Sequence, residues 1–286
     1  MLRPGSQIRT RVWAVAGSSA TRRADRLATE EPLEIRASAG SERHSVGVTM
    51  RTPGADFELV AGFLQGEGVL RDRTELRRLS YCVDRELSEE QRFNVVNADL
   101  SGRVRARLSA LDRPRLSSSA CGVCGKSSLD ALRVAGCRVL PPSPRVDSQT
   151  LLLLPEKLRA AQVIFAATGG LHGVALFDAA GELLVAREDI GRHNAFDKVV
   201  GWAFLQDRIP LSDSIAMVSG RIGFEIAQKC VMAGIPIVCA VSAPSSLAVA
   251  VAEEFGVTLV GFLRPQRFNV YSRPDRIALD EVAASS

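Results

Sequence analysis

The sequence predicts an α/β protein: a regular C-terminal half built on a helix-covered parallel sheet, behind a smaller α+β unit. Three observations predict it. SIAMVS, GFEIAQKCVMAG, PIVCAVS, SSLAVAVAEEFG and TLVGFL alternate strand-like apolar runs with helix-period segments between residues 214 and 263. Strand–helix–strand units of that size place a parallel sheet under helices through right-handed crossovers. Gly-Ile-Pro at 234–236 and Phe-Gly-Val at 255–257 mark the returns from helix to strand. The N-terminal half lacks this alternation and reads as a hairpin, a helix and a further strand.

Along the chain, residues 1–30 are rich in Arg, Ser, Ala and Thr with weak periodicity, and are expected to form a flexible tail. LEIRASAG and HSVGVTMR alternate around a Gly-Ser-Glu-Arg turn, which predicts a hairpin. In DFELVAGFLQGEGVL, Phe57, Val60, Ala61 and Leu64 recur at helical spacing, and RFNVVNADL reads as a strand. Residues 31–115 are therefore expected as a small α+β domain. A Cys-x-x-Cys loop, the short helix SSLDALRVAG and the proline-rich linker PPSPRVDSQT fill residues 116–145. The α/β domain occupies residues 146–280. It opens with PEKLRAAQVIFAAT as a helix carrying Pro155 in its first turn. GVALFD and ELLVARED then pair as a hairpin, and the helix HNAFDKVVGWAFLQ leads into the alternating units.

Composition narrows the function. Only four of the 36 Lys and Arg residues are lysine, leaving 32 arginines, the side chain that pairs bidentately with phosphates and carboxylates. Aromatics make up 5% and interleave with no basic run, which argues against extended nucleic-acid binding. The uncharged stretch from Val231 to Ala252 is interrupted by Pro236, Ser242, Pro244, Ser245 and Ser246, so it reads as strand, turn and helix and not as a membrane span. No signal peptide is visible, and no apolar segment follows Arg22-Arg23. The expectation is a cytoplasmic, reducing setting, in which the six cysteines serve reactivity or metal binding in preference to disulfides.

Chemistry concentrates in four segments. In CGVCGK, Gly122 and Gly125 flank Cys121 and Cys124, and Lys126 and the following helix start both favour thiolate. A redox pair usually opens a helix after a βαβ pattern, which the preceding half does not show. Tetrahedral zinc needs further ligands, and Cys82 and Cys137 lack paired spacing. A zinc deaminase needs His-x-Glu ahead of Pro-Cys-x-x-Cys, whereas His172 follows the cysteines and precedes Gly-Val. Covalent sulfur carriage, in which one thiolate holds a sulfane sulfur and its neighbour assists release, is the third chemistry. The local residues leave redox and sulfur carriage level. The second segment pairs TGGLHGVALFD with REDIGRHNAFDK: His172, His193 and Arg192 stand beside Glu188, Asp189, Asp197 and Lys198. These charges read equally as helix caps with surface ion pairs or as a polar pocket whose Arg192 and helix-start amides hold an anion. The third, SGRIGFEIAQK, puts Arg221 where a strand ends and a helix begins, an edge where ligands commonly bind. The fourth, GFLRPQRFNVYS, sets Arg264 and Arg267 around a Pro-Gln turn with Phe262 and Phe268 nearby, a fork suited to phosphate oxygens.

Taken together, EEPLEIR, MRTPGADFELVAGFLQGEG, CGVCGKSSL, TGGLHGVALFD, REDIGRHNAFDKVVG, SGRIGFEIAQKCVMAGIPIVCAVSAPSSLAVA and GFLRPQRFNVYS resemble the FdhD family over roughly residues 30–275. The resemblance implies a sulfur carrier, or sulfurtransferase. It would take sulfur from a cysteine desulfurase as a persulfide and deliver it to the molybdenum (or tungsten) bis-guanine-dinucleotide molybdopterin cofactor that formate dehydrogenase needs. It implies Cys121 as the persulfide cysteine, Cys124 as its partner, and Phe262, Leu263, Arg264, Pro265, Gln266 and Arg267 as the cofactor-binding segment. Many relatives carry glycine where this chain has Pro265-Gln266, while both arginines remain. It further implies a cytidine-deaminase-like three-layer α/β/α fold for the C-terminal domain, a homodimer, and no metal of its own. The contrasting expectation is a cofactor-binding chaperone without covalent sulfur transfer.

Overall fold

The computed structural model describes residues 5–82, 89–110, 129, 132–133 and 137–279. Strands β1 (Gln7–Ala16) and β2 (Ser19–Ala28) form an antiparallel ribbon closed by the two-residue turn Gly17-Ser18, with Gly17 at φ +61°. This corrects the expectation of a flexible tail over residues 1–30. In β1, Ile8, Thr10 and Val12 alternate with Arg9 and Arg11 and suit a strand, and no side chain of either strand is buried.

Strands β3 (Glu31–Ala39) and β4 (Glu42–Arg51) form the expected hairpin, and helix α1 (Asp56–Gly66) follows. Next come β5 (Leu76–Tyr81), α2 (Glu89–Arg92), β6 (Val95–Leu100) and α3 (Arg105–Ser109). The four strands lie in the order β4-β3-β6-β5, with β3 and β6 parallel. Leu33, Ile35 and Ala37 of β3 and Val96, Ala98 and Leu100 of β6 bury one face against Leu59, Val60 and Leu64 of α1. That alternation is the period-two signature of a half-buried sheet.

The second sheet begins after β7 (Val146–Asp147), α4 (Ser148–Ala161) and α5 (Val163–Thr168). Its strands are β8 (His172–Asp178), β9 (Leu183–Asp189), β10 (Ser214–Val218), β11 (Ile237–Ala240), β12 (Thr258–Arg264) and β13 (Arg267–Ser272). They are ordered β13-β12-β11-β10-β8-β9, with β10, β11 and β12 parallel and the rest antiparallel. Helices α6 (Arg192–Leu205), α7 (Phe224–Ala233) and α8 (Ser246–Phe255) supply the residues that pack on Leu176, Ala216, Val238 and Leu259. The alternate residues Phe177, Met217, Ile237 and Val260 face Leu151, Leu154 and Leu158 of α4. The sheet therefore has helices on both faces. A short parallel pair, β7 with β14 (Ile277–Ala278), returns the chain end to the start of α4.

Two details differ from the expected elements. Helix α4 starts at Ser148, because Asp147 accepts a hydrogen bond from the Gln149 N–H at 2.7 Å, so Pro155 lies inside the helix and not in its first turn. Strand β13 extends the sheet beyond the expected last strand. No helix among the described residues is long and apolar enough to cross a membrane.

Helix α1 joins the two sheets. Its Gly62 and Gly66 face α6 and the Lys229 side chain of α7, and the Gln65 side-chain amide donates to the Met232 carbonyl at 2.7 Å.

Candidate functional site at the carboxyl edge of the sheet

Parallel strands β10, β11 and β12 end at one edge, where α7 and α8 begin. The antiparallel strand β8 starts there, since Val218 pairs with Val174. Ligands in α/β sheets gather at such edges. Three loops meet on it. Ser219 ties β10 to β8: its N–H donates to the Gly173 carbonyl and its Oγ accepts from the Gly173 N–H, both at 2.9 Å. Ile222 bridges to Pro244, and the Ser245 N–H donates to the Ile222 carbonyl at 2.9 Å. The Phe262 N–H donates to the Ser242 carbonyl at 3.2 Å.

The arginine turn closes this edge. Arg264 pairs with Arg267 across Pro265-Gln266, and all four are exposed. Arg264 donates to the Val241 carbonyl at 2.6 Å, which anchors its guanidinium over the end of β11. A register shift between Gly261 and Arg264 places Phe262 at φ +52°, with 42% of its surface exposed. Bulges of this kind re-aim side chains, and a non-glycine residue at positive φ costs of the order of ~1–3 kcal/mol, held by its surroundings. Leu263 is fully buried in the α4-side core, so from this segment it offers a ligand only backbone.

The REDIGRHNAFDK segment divides by role. The Glu188 carboxylate accepts the N–H groups of Ile164 and Phe165 at 2.9 and 2.7 Å, capping α5. Asp189 and Lys198 form a buried ion pair at 2.6 Å. Asp189 also accepts from the Thr52 and Gly191 N–H groups, and Lys198 donates to the Thr52 carbonyl. Asn194 donates to the Met50 carbonyl and accepts from the Thr49 hydroxyl. Asp197 and Lys229 make a second buried pair at 2.5 Å. Burial pushes the Asp197 carboxyl up against the opposing pull of Lys229. Glu188, Asp189, Asp197 and Lys198 are thus a helix cap and buried ion pairs, which differs from the surface pairs of one sequence reading and takes these four out of the polar pocket of the other. The latch from Thr52 to Asp189 joins the MRTPG and REDIGRHN motifs, 137 residues apart. Local spacing carries no sign of that link, and Thr52 and Asn194 were not among the residues singled out from the sequence.

What remains at the edge is basic and polar. His172 lies beside Gly220, where a Cβ would stand 3.4 Å from its Nδ1. His193 Nε2 lies 3.6 Å from Glu225. Burial and the Arg192 charge lower both imidazoles, His193 to about 4, so they are neutral at physiological pH. Arg192 Nε and His193 Nε2 are buried and without a hydrogen-bond partner. Arg221 is exposed on the loop between β10 and α7. The structure thus brings His172, Arg192 and His193 together. It puts the 262–267 segment on the same edge, toward its far side.

Cys121 and Cys124 lie outside the described residues. The described cysteines Cys82, Cys137, Cys230 and Cys239 are free thiols. Burial raises Cys230 and Cys239 far above the ordinary thiol range, so neither is a thiolate nucleophile.

The model of the FdhD/NarQ family matches residues 28–278. The chain belongs to the FdhD/NarQ family. Its FdhD relatives include the "Sulfur carrier protein FdhD" of Mycolicibacterium paratuberculosis, 48% identical over 94% of this chain and 98% of that protein. The protein of the same name from Mycobacterium tuberculosis is 49% identical over 93% of this chain and 97% of the relative. That from Sulfurisphaera tokodaii is 41% identical over 94% and 98%. The crystal structure of a candidate formate dehydrogenase accessory protein from Desulfotalea psychrophila superposes with a TM-score of 0.73. It is 25% identical and covers 95% of this chain and 99% of that one. FdhD relatives therefore match nearly the whole chain.

Proposed function

We propose that this protein carries sulfur as a persulfide on Cys121, taken from a cysteine desulfurase, to the bis-guanine-dinucleotide molybdopterin cofactor of formate dehydrogenase. The observation that carries the reading is the exposed Arg264–Arg267 turn at the sheet edge, beside the outward-aimed Phe262, in a chain whose relatives are named sulfur carriers. Two exposed guanidiniums suit the phosphates of a dinucleotide, and the exposed ring offers a base a flat face. The residues present therefore fit the acceptor.

The chemistry balances in two steps. The Cys121 thiolate attacks the outer sulfur of the desulfurase persulfide. A new S–S bond forms, the old one breaks, and the desulfurase cysteine leaves as thiolate. Attack by the Cys124 thiolate on the Cys121 sulfur then expels the outer sulfur as HS⁻ toward the acceptor. The two thiols are oxidised to a disulfide, and the sulfane sulfur is reduced to sulfide. A cellular dithiol reductant restores the pair. A homodimer and a cytidine-deaminase-like layering of the C-terminal unit belong to the same reading; the helix-covered mixed sheet supports the latter. Incubation with a desulfurase and cysteine, followed by intact-protein mass spectrometry, tests it. One reductant-labile sulfur is expected, absent from Cys121→Ala.

A further inference from the structure

We propose that one face of the β1–β2 ribbon is the surface on which the sulfur-supplying cysteine desulfurase docks, through an acidic face of that enzyme. The inference rests on the proposed carrier function and adds to it the place of the first protein–protein contact. The ribbon precedes most of the segment that the family model matches. Its register carries the inference. Residues directly opposite in an antiparallel pair share a face, and the faces alternate along each strand. Arg9 pairs with Arg26 and Trp13 with Arg22, while Arg11 and Val15 occupy the alternate positions of β1 between and beyond them. The four arginines, Trp13 and Val15 therefore stand on one face, and all six are exposed. Asp25, the ribbon's one carboxylate, pairs with Thr10 on the opposite face. The Arg22 guanidinium lies over the Trp13 ring, 5.1 Å from its centroid. Trp13 and Val15 are 64% and 70% exposed, so the basic row ends in an apolar patch near the turn. A two-stranded ribbon is marginal in water unless something covers it. The base of this one is fixed: the Thr29 N–H donates to the Ser6 carbonyl at 3.0 Å, and β2 runs beside α5.

Charge and chemistry select the occupant. The ribbon holds five arginines and one aspartate; of the chain's 36 basic and 32 acidic side chains, that leaves 31 of each elsewhere. The ribbon thus carries the whole net charge of +4. The rest of a second copy offers no net opposite charge, and two such faces together would oppose eight arginines. A nucleic acid would meet one ring where base stacking uses several, and has nothing for Val15 to pack on. A protein face with carboxylates around an apolar spot matches Arg, Trp and Val together, and Trp and Arg are the side chains that anchor protein interfaces. In the proposed route the first transfer runs from one protein's cysteine to another's, so two proteins must be held together. The second goes to a cofactor, which the Arg264–Arg267 turn suits. Ala28, at the ribbon's base, lies by Gly170 ahead of β8, three strands from β12 and that turn. The desulfurase is accordingly the partner.

The test uses the full chain, with a cysteine desulfurase as the probe. Biolayer interferometry is expected to show binding by the wild type that weakens about fivefold or more between about 50 and 300 mM salt. The triple variant Arg9→Glu, Arg11→Glu, Arg26→Glu is expected to weaken it about tenfold or more, and Trp13→Ala about fivefold or more. These side chains have no core to lose, so urea midpoints are expected to match wild type. With desulfurase below saturation, Cys121 is expected to load more slowly in both variants. Inorganic polysulfide is the control donor: the Cys121 thiolate takes its terminal sulfur and a polysulfide one sulfur shorter leaves, with no docking. It is expected to load wild type and variants alike. Desulfurase affinities within twofold of wild type in both folded variants overturn the docking face, and a change confined to self-association in the ultracentrifuge then assigns the ribbon to a second copy. A wild type that does not bind the desulfurase, or that binds mixed-sequence duplex DNA as tightly, also overturns it. Failure of both donors to load Cys121 strikes the carrier reading instead, while desulfurase binding lost in the variants still upholds the docking face.

Discussion

Gly62 and Gly201 meet where α1 crosses α6, and neither has room for a methyl group. A Cβ on Gly62 would stand 1.9 Å from the Asp197 carbonyl oxygen, and one on Gly201 1.7 Å from that of Glu58. The helices touch through their backbones, which lets the N-terminal sheet dock onto the sheet bearing the candidate site. Gly201→Ala is expected to cost about 3 kcal/mol or more, since neither backbone can yield locally. Urea unfolding of the variant, with circular dichroism as readout, checks this.

Asp189 and Lys198 hold the start of α6 against the Thr52 loop from inside the protein. Lys198→Met leaves a buried carboxylate with no counter-charge. A destabilisation of ~3–5 kcal/mol is expected for breaking such a pair from one side. The urea midpoint measures it, and a loss below 1 kcal/mol would show that the pair is solvated.

The His193 imidazole sets a pH dependence. Burial first, and the Arg192 charge second, lower it from 6.5 to about 4. As pH falls from 6.5 toward 4, the unfolded chain takes up a proton that the folded chain resists. The stability from this group is present above 6.5 and is lost across that window. His172 shifts in the same direction. Asp197, raised from 3.8 to about 6, contributes with the opposite slope, losing stability as pH rises through that range. The His193 part is isolated by subtraction: the stability of wild type minus that of His193→Asn should rise with pH between about 4 and 6.5 and level off above it. Parallel profiles would refute the assignment.

Most of the C-terminal sheet was legible because its strands and helices have apolar faces with clear periods. Val218, Cys239 and Val260 sit in strands that SIAMVS, PIVCAVS and TLVGFL already marked. The ribbon of β1 and β2 was not legible, because Arg9, Arg11, Arg22 and Arg23 give its residues no core to face. β13 was not marked for a related reason: its apolar positions Phe268 and Val270 are only partly buried and alternate with the exposed Arg267 and Asn269. At the site, Arg264 and Arg192 could be named from their motifs. The Thr52–Asp189 latch and the burial of Leu263 depend on tertiary contacts that no local pattern encodes.

Phe262 combines positive φ with exposure, so its ring serves little in packing. Phe262→Gly removes the strain and the ring together. Stability is expected to stay within about 1 kcal/mol of wild type, because relief of strain offsets the entropy of glycine. GDP affinity is expected to fall about fivefold or more through loss of the stacking face. Calorimetry and urea unfolding on the same preparation separate the two effects.

The carrier mechanism is tested most directly by intact-protein mass spectrometry after incubation with a cysteine desulfurase and cysteine. The expected result is a gain of one sulfur that a reductant removes, present in the wild type and absent in Cys121→Ala, together with loss of formate dehydrogenase activation in that variant. A Cys121→Ala protein that still gains the sulfur, or still activates the enzyme, would contradict it.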